Sequence, residues 1–412
     1  MLDGQAITVL GGGVAGLAAA VALARRGARV TVLEQADAIT EVGAGIQISP
    51  NGAAVLRALG LGAALERAGL RAGGIVLRNG ADDRAVTALD MSGGGAGPGY
   101  WFVHRADLIA LLEAAARDAG VRVQLMQRVT RVAAADERGA TGMCIDTAQG
   151  AQRRTGLLVG ADGLHSVARH ALGTVPPARF TGQVAWRAVI AHEAPETAAA
   201  GAAGVPGPVA ELHMGPGCHL VSYPLRGGRW RNIVAVQARR SWAEEGWHHR
   251  DDPANLRAAF AGFAPRVQGW LARVECVNLW GLFRHPVAHA WHDGGRLAIL
   301  GDAAHPTLPF MAQGANMALE DAWVLAQALD THADPAVALA EFQALRRPRV
   351  ERVVATAERN ARIYHLRAPL RPLAHAAMRL GGRIAPQAPL RRFDWIYRHD
   401  VTSTGTAGPA RR

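Results

Sequence analysis

Ala6 to Leu10 is a short apolar run that stops at a cluster of glycines, and an Ala- and Leu-rich stretch follows from Leu17 to Arg25. The short run, bounded by glycine, predicts a buried strand; the longer one predicts a helix packed on all sides. Gly27 ends that helix, and Arg29 to Leu33 forms a second apolar strand. Two later runs share this character, Leu157 to Val159 and Leu297 to Leu300, and each leads into glycine. A helix is predicted from Met317 to Leu329. Buried strands alternating with helices indicate an α/β unit built on a parallel sheet.

Residues 181–275 follow a different pattern. Val184 to Ile190, His219 to Leu225 and Asn232 to Gln237 read as β-strands punctuated by glycine and proline. Tryptophans Trp186, Trp230, Trp242, Trp247 and Trp270 appear there as well. Ser92 to Gly99 reads as an exposed glycine-rich loop. From about Pro335 the pattern is helical with Arg-rich faces, then broken by prolines, and it ends in a polar tail, Thr402 to Arg412. The expected division is a discontinuous α/β domain at 1–75, 100–180 and 276–330. An interleaved β domain takes 76–99 and 181–275, a helical region 331–400 and a flexible tail 401–412.

Composition narrows the function classes. The formal charge of +11 raises the question of nucleic acid, but the basic residues are scattered among carboxylates. The densest group, Arg346, Arg347, Arg349 and Arg352 beside Glu351, reads as a solvated helix face. All 45 Lys-or-Arg positions are arginine. Phosphate-loop, Schiff-base and kinase chemistries that need a lysine are thereby excluded. Cys144, Cys218 and Cys276 are too widely spaced for a disulfide framework, and no His-Glu-x-x-His spacing occurs, so no metal is expected. The run Ile7 to Ala24 approaches the length of a membrane span, yet Gly11, Gly12, Gly13 and Gly16 sit early in it. A dinucleotide turn accounts for those glycines and a membrane span does not. A cytoplasmic chain, with no membrane or nucleic-acid partner, is expected.

The first strand runs directly into Gly11-x-Gly13-x-x-Gly16. Gly11 permits the tight turn, Gly13 the approach of a pyrophosphate, and Gly16 close packing of helix on sheet. The helix N-terminus then offers N–H groups and a positive dipole end to phosphates. Glu34, closing the second strand, suits the two hydroxyls of an adenosine ribose. Further on, Gly160-Ala161-Asp162-Gly163 and Gly301-Asp302-Ala303-Ala304-His305-Pro306 each follow a strand, and Gln313-Gly314-Ala315-Asn316 opens a helix. An aspartate at a strand end can accept hydrogen bonds from a polyol. A glycine-containing helix start can aim N–H groups at developing negative charge.

With these three motifs in this order, the chain resembles the group A flavoprotein aromatic hydroxylases, which include p-hydroxybenzoate and salicylate hydroxylases. The resemblance covers roughly residues 5–330. It implies a Rossmann-type FAD domain with an interleaved β-sheet substrate domain and C-terminal helices. It further implies FAD, NADH or NADPH as donor, and hydroxylation of a phenolic carboxylate through a flavin C4a-hydroperoxide. By position it implies that Gly11, Gly13, Gly16 and Glu34 hold the ADP half of FAD. Arg105 would reach the phosphate and ribityl region, Asp162 would serve both FAD and the nicotinamide, and Asp302 the ribityl chain. Pro309 would lie near the oxygen-reacting edge of the flavin, and Gly314, Ala315 and Asn316 would supply backbone donors. His305 is expected to be structural.

On the substrate side the reading singles out His219 and Tyr223, at i and i+4 of one predicted strand and so facing the same way. A histidine is suited to drawing off a phenolic proton. The pair is similar to that of the 3-hydroxybenzoate 6-hydroxylases and 6-hydroxynicotinate 3-monooxygenases. The latter carry further histidines where this chain has Gln47 and Phe310, and the former a glutamine where it has Pro309. Gln47 and Pro309 are expected to line the substrate site. A hydroxypyridine carboxylate or another heteroaromatic substrate, or a non-enzymatic flavin-binding regulator, are the alternatives. A halogenase would need a lysine. A homodimer is compatible with the C-terminal region.

Overall fold

The computed structural model describes residues 2–39, 44–92, 97–135, 142–191, 204–239, 249–385 and 387–403. Trp242, Trp247, the centre of the glycine-rich stretch after Ser92 and the tail from residue 404 lie outside the described residues.

Five parallel strands form one sheet, in the order Leu297–Ile299, Leu157–Gly160, Ala6–Leu10, Arg29–Leu33, Arg122–Gln124. The four residues of Leu157–Gly160 are all buried, as a strand covered on both faces must be. The helix Val14–Ala24 is apolar all round because it is covered all round. It lies between the sheet and the helices Arg105–Asp118 and Gly314–Thr331. The expected first two strands are reproduced to the residue, whereas the helix expected from Met317 starts earlier, at Gly314.

The second sheet has eight strands. Its order is Arg250–Asp251, Val277–Arg284, Arg179–Ala191, Trp230–Ala238, Cys218–Leu225, Val209–Gly215, Gly74–Asn79, Ala85–Asp90. Neighbours are antiparallel except Val209–Gly215 with Gly74–Asn79, which run parallel. The strand Val277–Arg284 is part of this sheet, although it follows the division expected at residue 276.

Period-two alternation sorts the sheet's two faces. Val184, Trp186, Leu220, Ile233 and Leu279 pack into one cluster with Phe260, Val267 and Leu271 of the helices Pro253–Ala259 and Pro265–Ala272 and their linker. Residues of opposite parity, among them Tyr223, Leu225, Val236 and Trp280, join the main core with the parallel sheet. His219 and Arg187 share the parity of that inner face.

The helix Pro335–Tyr364 contacts Gly314–Thr331 and carries Pro348 in its interior. Here one expectation is corrected. Arg346 and Arg349 do not belong to a solvated face: Arg346 is 1% exposed. Its Nη1 lies 2.6 Å from Glu320 and its Nε 2.8 Å from Asp321. Arg349 reaches Glu320 at 2.7 Å. The adjacent helix presents two buried carboxylates that no apolar partner could satisfy, so the arginines turn inward. Arg347, paired with Glu351 at 2.9 Å, and exposed Arg352 behave as surface helix residues.

Candidate active site

Four adjacent strands of the parallel sheet end on the same edge, and each end carries one of the expected motifs. Gly11 follows Leu10, Glu34 follows Leu33, Asp162 lies just beyond Gly160, and Asp302 just beyond Ile299. The carboxyl edge of an open parallel sheet is where such folds bind ligands.

Two glycines are demanded by the protein itself. Gly11 has φ +98°, and a Cβ there would lie 2.4 Å from the Ala161 carbonyl oxygen. At Gly16 a Cβ would lie 1.9 Å from the Gly11 carbonyl oxygen, so this glycine permits the turn to close against its own helix. Gly13 is different: its φ is −79° and a Cβ would meet no protein atom within 4 Å. Neither conformation nor packing requires glycine there, which fits the close approach of a pyrophosphate. Gly13 caps the helix without a side chain, so the first-turn N–H groups are left for a ligand. The Glu34 carboxylate stands beside the turn, accepting from Gly12 N at 2.6 Å and Ala36 N at 2.8 Å. Gly301, at φ +60°, packs against Ala15 of the same helix and so brings Asp302 close to that helix start.

Asp302 is exposed, yet flanking protein raises its carboxyl above the ordinary range. His305, Arg105 and His285 draw it back down. Burial and the charge of Arg187 lower Arg105 to about 10, with Asp302 opposing the shift. Arg105 and Asp302 therefore feel each other across the edge of the sheet. Asp162 is engaged internally: Ser166 Oγ donates to it at 2.5 Å and Ala168 N at 3.1 Å, which caps the helix Val167–Ala171. Burial raises its carboxyl.

The segment from Gly301 to Asn316 is anchored from below. Buried His305 bonds Asp321 through Nε2 at 2.5 Å. Gln313 donates to Ser49 Oγ at 3.0 Å, and Asn51 donates to Glu320 at 2.6 Å. Pro309 is exposed, and a Cβ at Gly314 would meet no protein atom within 4 Å. Asn316 uses its side chain as a clamp: it accepts from Ser49 N at 2.9 Å and donates to the Gln47 carbonyl at 3.0 Å. Among the expected roles, its backbone N–H is the part left for a ligand.

Tyr223 and Gln47 come together on the inner face of the second sheet. A Cβ at Gly45 would lie 2.7 Å from the Tyr223 hydroxyl, so glycine is required there for the tyrosine to fit. Tyr100 donates to Gln47 Oε1 at 2.6 Å. Burial raises the Tyr223 phenol above its usual range, while Arg187 and a hydrogen bond with Gln47 oppose the rise. Phe102 packs 5.1 Å from Tyr223, ring centre to ring centre.

His219 is 2% exposed. Its Nδ1 lies 2.7 Å from Nε2 of His365, and its ring packs against Phe310 and Tyr364 at 5.7 and 5.4 Å. Burial, with a smaller contribution from His365, pushes it well below the usual imidazole value.

Several of these neighbours carried no local signal. Tyr100, Tyr223, Tyr364 and Tyr397 are the chain's four tyrosines, and burial with mutual repulsion of their ionised forms raises Tyr100. Tyr364, His365 and Tyr397 come from the C-terminal region, far from any motif. Arg187 lies 5.0 Å over the Trp280 ring and exerts its charge on both Tyr223 and Arg105. The scarcity of tyrosine was the one available hint. Among the described residues no cluster of His, Cys, Asp and Glu could hold a metal, and no helix is long and apolar enough to cross a membrane.

Known proteins match this arrangement. The profile of a family described as FAD binding domain covers residues 5–357. The 3-amino-4-hydroxybenzoate 2-monooxygenase PtmB3 of Streptomyces platensis is 35% identical over 411 residues, 97% of each chain. A 3-hydroxybenzoate 6-hydroxylase of Klebsiella oxytoca is 34% identical, with 87% of this chain and 88% of that one covered. Among solved structures, Klebsiella pneumoniae HpxO complexed with FAD and uric acid superposes with a TM-score of 0.78 at 29% identity, covering 92% and 94%.

Proposed function

This chain belongs to the FAD binding domain family, among its group A flavoprotein aromatic hydroxylases, and on that premise we propose that it hydroxylates a small phenolic carboxylate of the hydroxybenzoate kind. It is an FAD-dependent monooxygenase, and NAD(P)H is the donor typical of the family. Bound FAD supplies the acceptance of a hydride and the activation of oxygen; the protein orients the partners and keeps water out.

The observation that carries this reading is the buried His219 on the inner face of the eight-stranded sheet, in one row with Tyr223. His219 Nε2, the ring nitrogen not turned to His365, takes the phenolic proton and leaves a phenolate, the electron-rich form that aromatic hydroxylation requires. Tyr223 and Gln47 position the substrate oxygen. Arg187 gives the inner face the positive charge that an aromatic carboxylate needs in a dry site. Gly11, Gly13, Gly16 and Glu34 hold the ADP half of FAD. Arg105 and Asp302 hold its middle, and the N–H groups of Gly314 to Asn316 its ring. Pro309 lies at the ring's edge on this reading, and Asp162 acts through the turn it caps. The eight-stranded sheet with its two outer helices forms the substrate domain.

Relatives named for aminohydroxybenzoate and hydroxybenzoate support the substrate class. The test is a panel of hydroxybenzoates, aminohydroxybenzoates and hydroxypyridine acids, scored for stimulated NAD(P)H oxidation and for the hydroxylated product. Stimulation by the hydroxypyridine acids alone would overturn the phenolic assignment.

A further inference from the structure

We propose that His365 is a positioning residue that sets the tautomer of His219 and relays its proton to water past Gln183. The inference rests on the reading of His219 as the base.

Two imidazoles joined Nδ1 to Nε2 at 2.7 Å share a single hydrogen. If that hydrogen sits on His219 Nδ1, the His219 Nε2 carries a lone pair and can accept a proton. If it sits on His365, neutral His219 carries Nε2–H and can only donate. The base-competent state therefore requires His365 to hold its own proton on Nδ1 and present Nε2 as an acceptor.

Nδ1 of His365 faces Gln183. The Gln183 amide nitrogen lies 3.4 Å from it, and the Gln183 carbonyl oxygen is buried without a hydrogen-bond partner. With the NH2 group towards His365, the chain of bonds runs Gln183 to His365 to His219, and His219 is the Nε2–H tautomer. A half-turn of the nearly isosteric carboxamide puts its carbonyl there instead and reverses every donor in the chain. Gln183 can satisfy both states, as a relay requires.

The proton balance closes. His219 Nε2 takes the phenolic hydrogen, and the O–H electron pair stays on oxygen. The Nδ1 hydrogen of His219 crosses to His365 Nε2. The Nδ1 hydrogen of His365 leaves to water at the half-buried edge of that ring, and Gln183 turns its NH2 group to the lone pair left behind. One proton has gone from phenol to solvent, and both rings end neutral.

Burial makes this route preferable to storage. It pushes His219 well below its ordinary value and His365 to about 4, so neither ring holds a positive charge readily. A proton arriving at His219 has to be passed on. The groups facing the pair are Phe310, Tyr364, Gln183 and, at the start of the strand, Cys218 with Arg367 and Arg371, whose charges act on the Cys218 thiol.

The test uses the FAD-loaded full chain and 3-hydroxy-4-nitrobenzoate, whose phenolate absorbs in the visible. Stopped-flow mixing reads the rate at which the bound probe ionises, and flavin absorbance reads its affinity. His365→Gln keeps a hydrogen bond to His219 and cannot relay. Ionisation is expected to slow at least about tenfold, with affinity held within about twofold. His365→Ala is expected to slow likewise and to recover with added imidazole. Nitrogen-15 NMR of the histidines, which needs no substrate, is expected to show one His219 tautomer in the wild type and a mixture in His365→Ala. Wild-type ionisation rates in both His365 variants, or an unchanged His219 spectrum, overturn the relay. His219→Asn separates the two readings. If that variant still ionises the probe, the base assignment itself falls. If it does not, while the His365 variants behave as wild type, only the relay falls.

Discussion

The two sheets prepare for their ligands by opposite means. On the parallel sheet the candidate site is made of backbone: strand ends, glycines and helix N-termini, with Glu34 and Asp302 standing partly or fully exposed beside them. On the eight-stranded sheet it is made of buried side chains, His219, Tyr223 and Gln47, each touching residues from distant parts of the chain. A dinucleotide carries many polar atoms and can be met by donors along an edge. A small aromatic acid has few, so a handful of desolvated groups must do the recognising, and the titratable ones, His219 and Tyr223, acquire shifted proton affinities as a result.

The largest effects expected from breaking this contrast lie on the cofactor side. Asp302→Ala removes the exposed carboxylate beside the glycine turn at Gly301, and the protein should purify largely colourless. The ratio of flavin to protein absorbance measures it, and full flavin occupancy would refute the role. Next comes His219→Asn, which should lower hydroxylation by about 100-fold or more and divert NAD(P)H oxidation into hydrogen peroxide. Product yield per NAD(P)H consumed is the readout, and unchanged coupling removes His219 from the chemistry.

Tyr223→Phe keeps the ring packed on Phe102 and deletes only the hydroxyl. A loss of about tenfold in kcat/KM is expected, with flavin content unchanged. Loss of flavin in that variant would mean that the two sheets are not separable in this way.

A smaller effect concerns pH. His219 and His365 are held neutral in the folded chain, His365 with a value of about 4 against an ordinary 6.5. The unfolded chain binds these protons at higher pH than the folded one, so their contribution to stability is full above about 6.5 and is lost as pH falls towards about 4. Urea midpoints should decline over that window, and the decline should be shallower in His365→Gln. An equal slope in the two proteins would exclude the pair as its source. Smallest is the expectation for Cys218: burial pushes its thiol up to about 11, so at neutral pH it should resist a thiol reagent that exposed Cys276 takes up readily.

The cofactor side was legible because it depends on local requirements. A turn with φ +98° admits glycine and little else, and the residue at a strand's end stands at the sheet's edge whatever the rest of the chain does. Gly11, Gly16, Glu34 and Asp302 could thus be located from spacing alone. The solvated reading of Arg346 failed for the complementary reason. Helical spacing tells which residues share a face, and only the neighbouring helix, with Glu320 and Asp321, decided that this face turns inward.

Taken by itself, the sequence determined the alternation of buried strands and helices, the glycine turns and the sheet edge at which those turns stand, since each follows from the backbone conformations that nearby residues allow. It also determined that His219 and Tyr223 share one face of a strand, through period-two geometry. Only the tertiary structure decided what that face meets: Gly45 making room for Tyr223, Arg187 beside it, and His365 brought up from the end of a 30-residue helix to bond His219. Proton affinities and tautomers depend on burial and on partners more than a hundred residues away, and no local pattern along the chain records either.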